Sequence, residues 1–151
     1  MLRAIVSGGQ TGVDRAALDT AIRLRIPHGG WCPRGRRAED GVIDGRYQLQ
    51  QTPLSRYDQR TRWNVRDADA TLILVSGEPT GGTRLTRELA RSLGKPCLVV
   101  DPRDIKEAQR VAAWLRREMV EVLNIAGPRG STDPAIYDAA KDFLEVLFSC
   151  Y

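Results

Sequence analysis

Two rhythms of apolar residues alternate along this chain, short β-type runs and longer stretches at helical spacing. Residues 3 to 7 form the first run. It ends in Gly8-Gly9-Gln10-Thr11-Gly12, after which Val13, Ala17, Ala21 and Leu24 recur at helical spacing. Thr11 is placed to cap that helix, and Asp14 puts a carboxylate in its first turn, where the dipole favours it. A second unit opens with Ala70-Thr71-Leu72-Ile73-Leu74-Val75, nearly continuous in apolar residues like a strand buried on both faces of a parallel sheet. The turn 76–83 follows, then Leu85, Leu89 and Leu93 mark a helix that Gly94 and Pro96 terminate. Cys97-Leu98-Val99-Val100 reads as a third strand. The helix after it has Asp104 and Glu107 at capping-box spacing and a buried face of Ile105, Ala108, Ala112, Leu115 and Met119. Val120 to Ala126 is the next strand. Asp133 with Pro134 reads as an N-cap before a last helix carrying Ile136, Ala140, Phe143 and Leu147. Strand and helix in regular alternation predict an α/β fold, an open and mainly parallel sheet with helices on both faces.

Residues 27–69 break the rhythm, with a short strand near His28 to Trp31, a Gly/Arg/Asp-rich loop from Pro33 to Arg46, and a helix near Ser55 to Arg66. We therefore expect one domain over 1–151 with an irregular Arg/Gly-rich insertion at about 32–55. Irregular segments of this length inside a compact domain are usually functional or mobile.

Composition supports one soluble globular unit: 151 residues, 42% hydrophobic and 28% charged, enough to bury a core without staples. No apolar run approaches the length that crosses a bilayer, and the start lacks the parts of a secretion signal, so a cytoplasmic protein is expected. Cys32, Cys97 and Cys150 are odd in number and far apart, which suggests neither a disulfide framework nor a zinc site. His28, the single histidine, leaves His-dependent catalysis poorly supplied; zinc and haem are not expected. The net charge of +4 is local: residues 28–66 hold eight Arg against four acids, and the remainder has fifteen of each sign. No Lys/Arg run of the nucleic-acid-binding type occurs.

In open parallel sheets ligands bind beyond the carboxyl ends of the strands, where helix N-termini attract anions. Loops 7–12, 76–83 and 127–131 lie at such ends, and glycines at 8, 9, 12, 81, 82 and 127 permit positive φ or close approach to a ligand. The combination points to a phosphate-bearing ligand, although neither a Walker loop nor the Gly-x-Gly-x-x-Gly fingerprint is present. Expected contacts are Gly8, Gly9, Gln10, Thr11, Gly12, Asp14, Gly81, Gly82, Thr83, Gly127 and Arg129. Trp31 is placed either to stack on a flat ring or to pack in the core, and Arg34 or Arg37 to pair with phosphate. Arg56, Arg60, Arg62 and Arg66 are spread around the helix near 55–66, where an anion or acidic partner would offset their mutual repulsion. Glu88, one turn into the helix after Gly81-Gly82-Thr83, can be a proton donor or a solvated acid paired with Arg84 or Arg91.

Five stretches taken together resemble the family named putative molybdenum carriers: residues 7–15 (Ser7 to Arg15), Gly30-Trp31-Cys32-Pro33-Arg34 through Gly41, Trp63-Asn64-Val65-Arg66-Asp67, Thr80-Gly81-Gly82-Thr83, and Leu123 through Arg129. The match runs over nearly the whole chain. It implies a Rossmann-like fold and binding of molybdenum cofactor, a phosphorylated pterin holding its metal through a dithiolene; the phosphate-directed loops leave a nucleotide open as well. That family is more remotely similar to molybdenum cofactor carriers and to lysine decarboxylase-like phosphoribohydrolases. The hydrolases carry Pro-Gly-Gly-x-Gly-Thr-x-x-Glu, and here Thr80-Gly81-Gly82-Thr83 lacks the proline and the Gly-Thr pair and has its acid at Glu88. The leading expectation is a carrier for a phosphorylated small molecule, with homo-oligomer formation left open and no membrane or specific nucleic-acid partner. The alternatives are a nucleoside 5'-monophosphate N-glycosidase using Glu88, and a protein-interaction module using the basic insertion.

Overall fold

A computed structural model describes residues 2–151. Five strands form one wholly parallel sheet: β1 (Ala4–Val6), β2 (His28–Gly29), β7 (Ala70–Leu74), β8 (Cys97–Val100) and β9 (Val122–Ala126), in the spatial order β2-β1-β9-β7-β8. Five helices accompany them: α1 (Val13–Arg23), α2 (Tyr57–Asp67), α3 (Gly81–Ser92), α4 (Glu107–Arg117) and α5 (Ile136–Ser149). The expected α/β class with its parallel sheet is the observed one. Among the described residues no helix is long and apolar enough to cross a membrane.

The main core lies on the sheet face covered by α1, α4 and α5. It holds Ile5, Leu72, Leu74, Leu123 and Ile125 from the strands against Ala17, Leu115, Phe143, Leu144 and Leu147 from the helices. Strand side chains alternate between faces, so Thr71 and Ile73 turn to the other side, where α2 and α3 pack on each other. That second face is partly polar: Asn124 Nδ2 donates to Thr71 Oγ1 across two strands at 3.2 Å.

The insertion has local order of its own. Short strands β3 (Trp31–Cys32) and β6 (Gln50–Gln51) pair in parallel, while β4 (Arg37–Ala38) and β5 (Gly41–Val42) form a small antiparallel hairpin. Beneath them a second core joins Cys32, Ala38, Ile43 and Tyr47 to Leu18 of α1. Arg36 braces the loop by donating to the carbonyls of Ile43, Asp44, Leu49 and Tyr47. Tyr47 and Tyr137 each donate a hydroxyl hydrogen bond to Asp19, at 2.6 and 2.5 Å, tying the insertion to α1 and α5.

Helix boundaries depart from expectation in physically readable ways. Neither the Asp104 capping box nor an Asp133 cap forms. Lys106 and Ala135, which precede α4 and α5, already have helical dihedrals, so the chain enters each helix through a turn and no side chain reaches back. Asp133 instead pairs with Arg103. Thr11 does not cap α1 either. Gly12 holds that position, and the Thr11 hydroxyl accepts from Gly130 N–H while bonding Glu39. In α4 the buried face is Ala108, Val111, Ala112, Trp114 and Leu115; Ile105 and Met119 are exposed. Met119, at φ 52°, ends α4 in a Schellman turn, its N–H returning to Arg116 O and that of Val120 to Leu115 O. Gly94 closes α3 in the same way.

Candidate ligand-binding site

A cavity of about 330 Å³ opens beyond the carboxyl ends of β1, β9 and β7. Four segments line it: the β1–α1 turn, the N-terminus of α3, the loop after β9, and one side of α2. In open parallel sheets this crevice, where connections diverge to opposite sides, is the place for a ligand.

The glycines of the expected site divide into two groups. A Cβ on Gly127 would stand 2.3 Å from Leu74 O and 2.5 Å from Val13 Cγ2, and one on Gly12 would stand 2.3 Å from Pro128 O. At Gly8 it would meet the Arg60 side chain and at Gly9 the side chains of Ile43 and Leu49. These four glycines admit other parts of the protein. Gly81 and Gly82 are different, because a Cβ there would meet nothing within 4 Å. Thr83 N–H and Arg84 N–H return to Thr80 O, and the amides of Gly81 and Gly82 precede any intrahelical acceptor. The first turn of α3 contains no acid. The helix therefore presents free donors and the positive end of its dipole to the cavity.

Opposite lies a buried ion pair. Arg60 of α2 is 7% exposed and donates from Nη1 to Gly8 O at 2.8 Å. Its nearest counter-charge is Asp14 Oδ2 at 3.9 Å, beyond hydrogen-bond range. Asp14 accepts instead from Gln10 N–H at 3.1 Å. Burial pushes the Asp14 carboxyl above its ordinary range, opposed first by the charge of Arg60. Burial likewise pulls the Arg60 guanidinium below its usual value, opposed by Asp14. Polar side chains complete the surroundings. Asn64 clamps the backbone of Trp31, accepting from its N–H and donating to its carbonyl, and Thr86 donates to Gly82 O. Gln10 accepts from Thr11 and Glu39 N–H through Oε1, which leaves its buried Nε2 with no acceptor among the described residues.

Of the residues expected from sequence, Gly8, Gln10, Asp14, Gly81, Gly82, Thr83, Gly127 and Arg129 line the cavity. Gly9, Thr11 and Gly12 stand behind its wall. Trp31 is also outside, stacked edge-on against Trp63 with centroids 4.7 Å apart and its indole N–H on Asp67. Arg34 and Arg37 are exposed and outside the lining, the Arg37 guanidinium lying over the Tyr57 ring. Glu88 is exposed and paired with Arg84, outside the lining. Asp14 is thus the one carboxylate among the lining residues. Sequence reasoning did not single out Asn64, Thr86, Asn124 and Ser131 as contacts. The spacing of Arg60 and Asn64, one helical turn apart beside buried Val65, was the usable signal.

Glu39 joins three loops at the rim. It accepts from Ser131 N–H and Oγ, bonds Thr11, and lies 3.8 Å from Arg129. Partial desolvation raises its carboxyl, but the hydrogen bonds from Ser131 and Thr11 outweigh this and hold it below the usual range. No His or Cys lines the cavity, and no cluster of metal-ligating side chains occurs among the described residues. Cys32 is fully buried in the second core, where burial pushes its thiol up.

Sheet, crossovers and crevice together define a Rossmann-like single-domain α/β protein. Moving β9 and α5 to the front of the chain would renumber the sheet 3-2-1-4-5, the first five strands of the Rossmann order 3-2-1-4-5-6, so the observed connectivity is that order circularly permuted. The termini make this possible: Arg3 and Tyr151 border the same surface crevice. In accord with that geometry, the model of the circularly permutated YpsA SLOG family matches residues 5–148, and the chain belongs to this family. The crystal structure of the "Putative molybdenum carrier protein" from Syntrophus aciditrophicus SB is 49% identical, with a TM-score of 0.95 over 97% of this chain and 94% of that one. The structure of (E)-4-hydroxy-3-methyl-but-2-enyl diphosphate reductase aligns at 13% identity and a TM-score of 0.43, over 95% of this chain and 59% of that one, too distant to carry weight. No curated protein matches the chain.

Proposed function

We propose that this protein is a cytoplasmic carrier that binds a phosphorylated small molecule, the molybdenum cofactor or a nucleotide, in the crevice between β9 and β7. The observation that carries the reading is the open N-terminus of α3, where Gly81 and Gly82 leave space beside unpaired amide donors. Arg60 and Arg129 add positive charge to the same lining. A cavity of about 330 Å³ falls in the range of small-molecule sites.

The lining fits some parts of the molybdenum cofactor and not others. Phosphate suits the α3 amides and the arginines, and the polar edge of a pterin suits Asn124, Thr86 and the backbone after β9. No thiol or imidazole is present there to ligate the metal, so the protein would hold the organic part and leave the metal to the cofactor's own sulfurs. The 49% identical "Putative molybdenum carrier protein" from Syntrophus aciditrophicus SB supports this choice of cargo. An N-glycosidase reading is disfavoured because Glu88 faces solvent beside Arg84 and Asp14, the carboxylate of the lining, is buried against Arg60.

Mass spectrometry of ligand retained on gently purified protein, with metal analysis of the same sample, tests the reading. A phosphorylated compound at near-stoichiometric amount is expected. Gly82→Asp should weaken its binding by roughly tenfold or more in a folded protein, since the added carboxylate points into open space where an anion would sit. Unchanged affinity in the folded variant would remove α3 from the site.

A further inference from the structure

Three guanidinium groups converge on the ring of Tyr57, and two of them, those of Arg60 and Arg129, also line the cavity. Arg37 of β4 lies 4.7 Å from the centroid of Tyr57, Arg60 of α2 lies 5.2 Å from it, and Arg129 from the loop after β9 lies 5.3 Å from it. The three residues come from separate parts of the chain and repel one another. Their compensation is thin. Arg60 meets Asp14 only at 3.9 Å, Arg129 meets Glu39 only at 3.8 Å, and Arg37 has no acid partner among the described residues, donating to Ser55 O instead. Glu39 already engages both oxygens with Ser131 and Thr11, and the Asp14 oxygen nearest Arg60 already accepts from Gln10 N–H. The charge of Arg129 also disfavours the protonated form of Arg60, a mark of like-charge crowding. The ring face of Tyr57 offsets part of this, but a cation–π contact neutralises no charge. Arg60 has a second property that points to a ligand: it is more than nine-tenths buried, lines the cavity, and makes one protein hydrogen bond with a group that carries five donors.

We propose that Arg37, Arg60 and Arg129 form a second anion subsite around Tyr57, separate from the α3 N-terminus, and that the ligand carries two anionic groups. This deepens the carrier reading and rests on it. One group sits on the Gly81 and Gly82 amides and the other among the three arginines, with the polar lining between them. Arginine suits the second position because its planar fork meets phosphate or carboxylate through paired hydrogen bonds.

Two probes of matched skeleton, ribose 5-phosphate and ribose 1,5-bisphosphate, test the idea by calorimetry and by ¹⁵N NMR of backbone amides and arginine Nε groups. The bisphosphate should bind the wild-type protein at least ~10-fold more tightly, the worth of one charge-assisted contact, and should move the Nε signals of Arg60 and Arg129 as well as the amides of residues 81–83. In Arg37→Gln/Arg129→Gln, both exposed or half-exposed positions, that preference should fall to roughly threefold or less. Equal wild-type affinity for the two probes, with the residue 81–83 amides still shifting, would overturn the second subsite and leave the carrier reading intact. A preference that survives the double substitution would also overturn it. Failure of both probes to perturb residues 81–83 would sink the carrier reading itself.

Discussion

Replacing Arg60 by methionine isolates the interaction that holds α2 over the first glycine turn. Methionine keeps much of the apolar stem and removes the charge, the hydrogen bond to Gly8 O and the nearest cation to Asp14. At the 3.9 Å separation an effective dielectric of about 20 gives an attraction near 4 kcal/mol, most of it spent on desolvating the two groups. Removal of one partner is not so compensated, since Asp14 is 8% exposed and would be left in a site that penalises its charge. The expected cost is about 3–5 kcal/mol, or a fall in Tm of roughly 6–20 °C for a chain of this size. Asp14→Asn leaves Arg60 with Gly8 O and should cost less. Urea denaturation of both single variants and the double should give a coupling of about 1–3 kcal/mol. The pH dependence has a definite sign. Asp14 has a raised folded pKa, so its neutral form contributes stability below the unfolded value of about 3.9, and that stability is lost as pH rises toward the folded value. Arg60 opposes the rise, so removing it steepens the loss, and the deficit of Arg60→Met should be smaller at pH 4 than at pH 7. Additivity of the single variants within about 0.5 kcal/mol, or a deficit that shrinks as pH rises, would refute the description of this pair.

Gly127→Ala should destabilise by about 1–3 kcal/mol in urea melts, because its Cβ would be driven into Leu74 O and Val13; wild-type stability would show that the β9 turn yields easily. Met119→Gly should stabilise by up to about 1 kcal/mol, since Met119 is 83% exposed and holds a left-handed conformation that glycine adopts freely; a loss would show that its side chain packs usefully. In native protein at pH 8 a thiol reagent followed by mass spectrometry should label exposed Cys150 well before Cys97, whose thiol burial pushes up to about 11, and before fully buried Cys32. Equal labelling of all three would contradict the burial of Cys32 in the second core and the partial burial of Cys97.

The alternation that announced the sheet was legible because burial is periodic. Ala70–Leu74 is buried at every residue and reads as one apolar run, and helices such as α5 carry Ile136, Ala140, Phe143 and Leu147 on one stripe. Glycine-rich turns at strand ends were legible for the same local reason. What each glycine is for was not: 8, 9, 12 and 127 make room for Arg60, Ile43, Leu49, Pro128, Leu74 and Val13, residues distant in sequence, while 81 and 82 face open space. Trp31, placed by its sequence either to stack on a ligand or to pack in the core, has the Trp63 ring 4.7 Å away and Asp67 on its N–H, both from α2.

The sequence by itself determined the parallel α/β class, the turns at the sheet edge and the basic character of the insertion, because propensity, periodicity and composition are properties of neighbours along the chain. Only the tertiary structure decided the strand order 2-1-5-3-4 among the five main-sheet strands, the burial of Arg60 against Asp14, and the gathering of Arg37, Arg60 and Arg129 around Tyr57. Those contacts join residues from separate elements, and their energies depend on distance and burial in space, which no local pattern encodes.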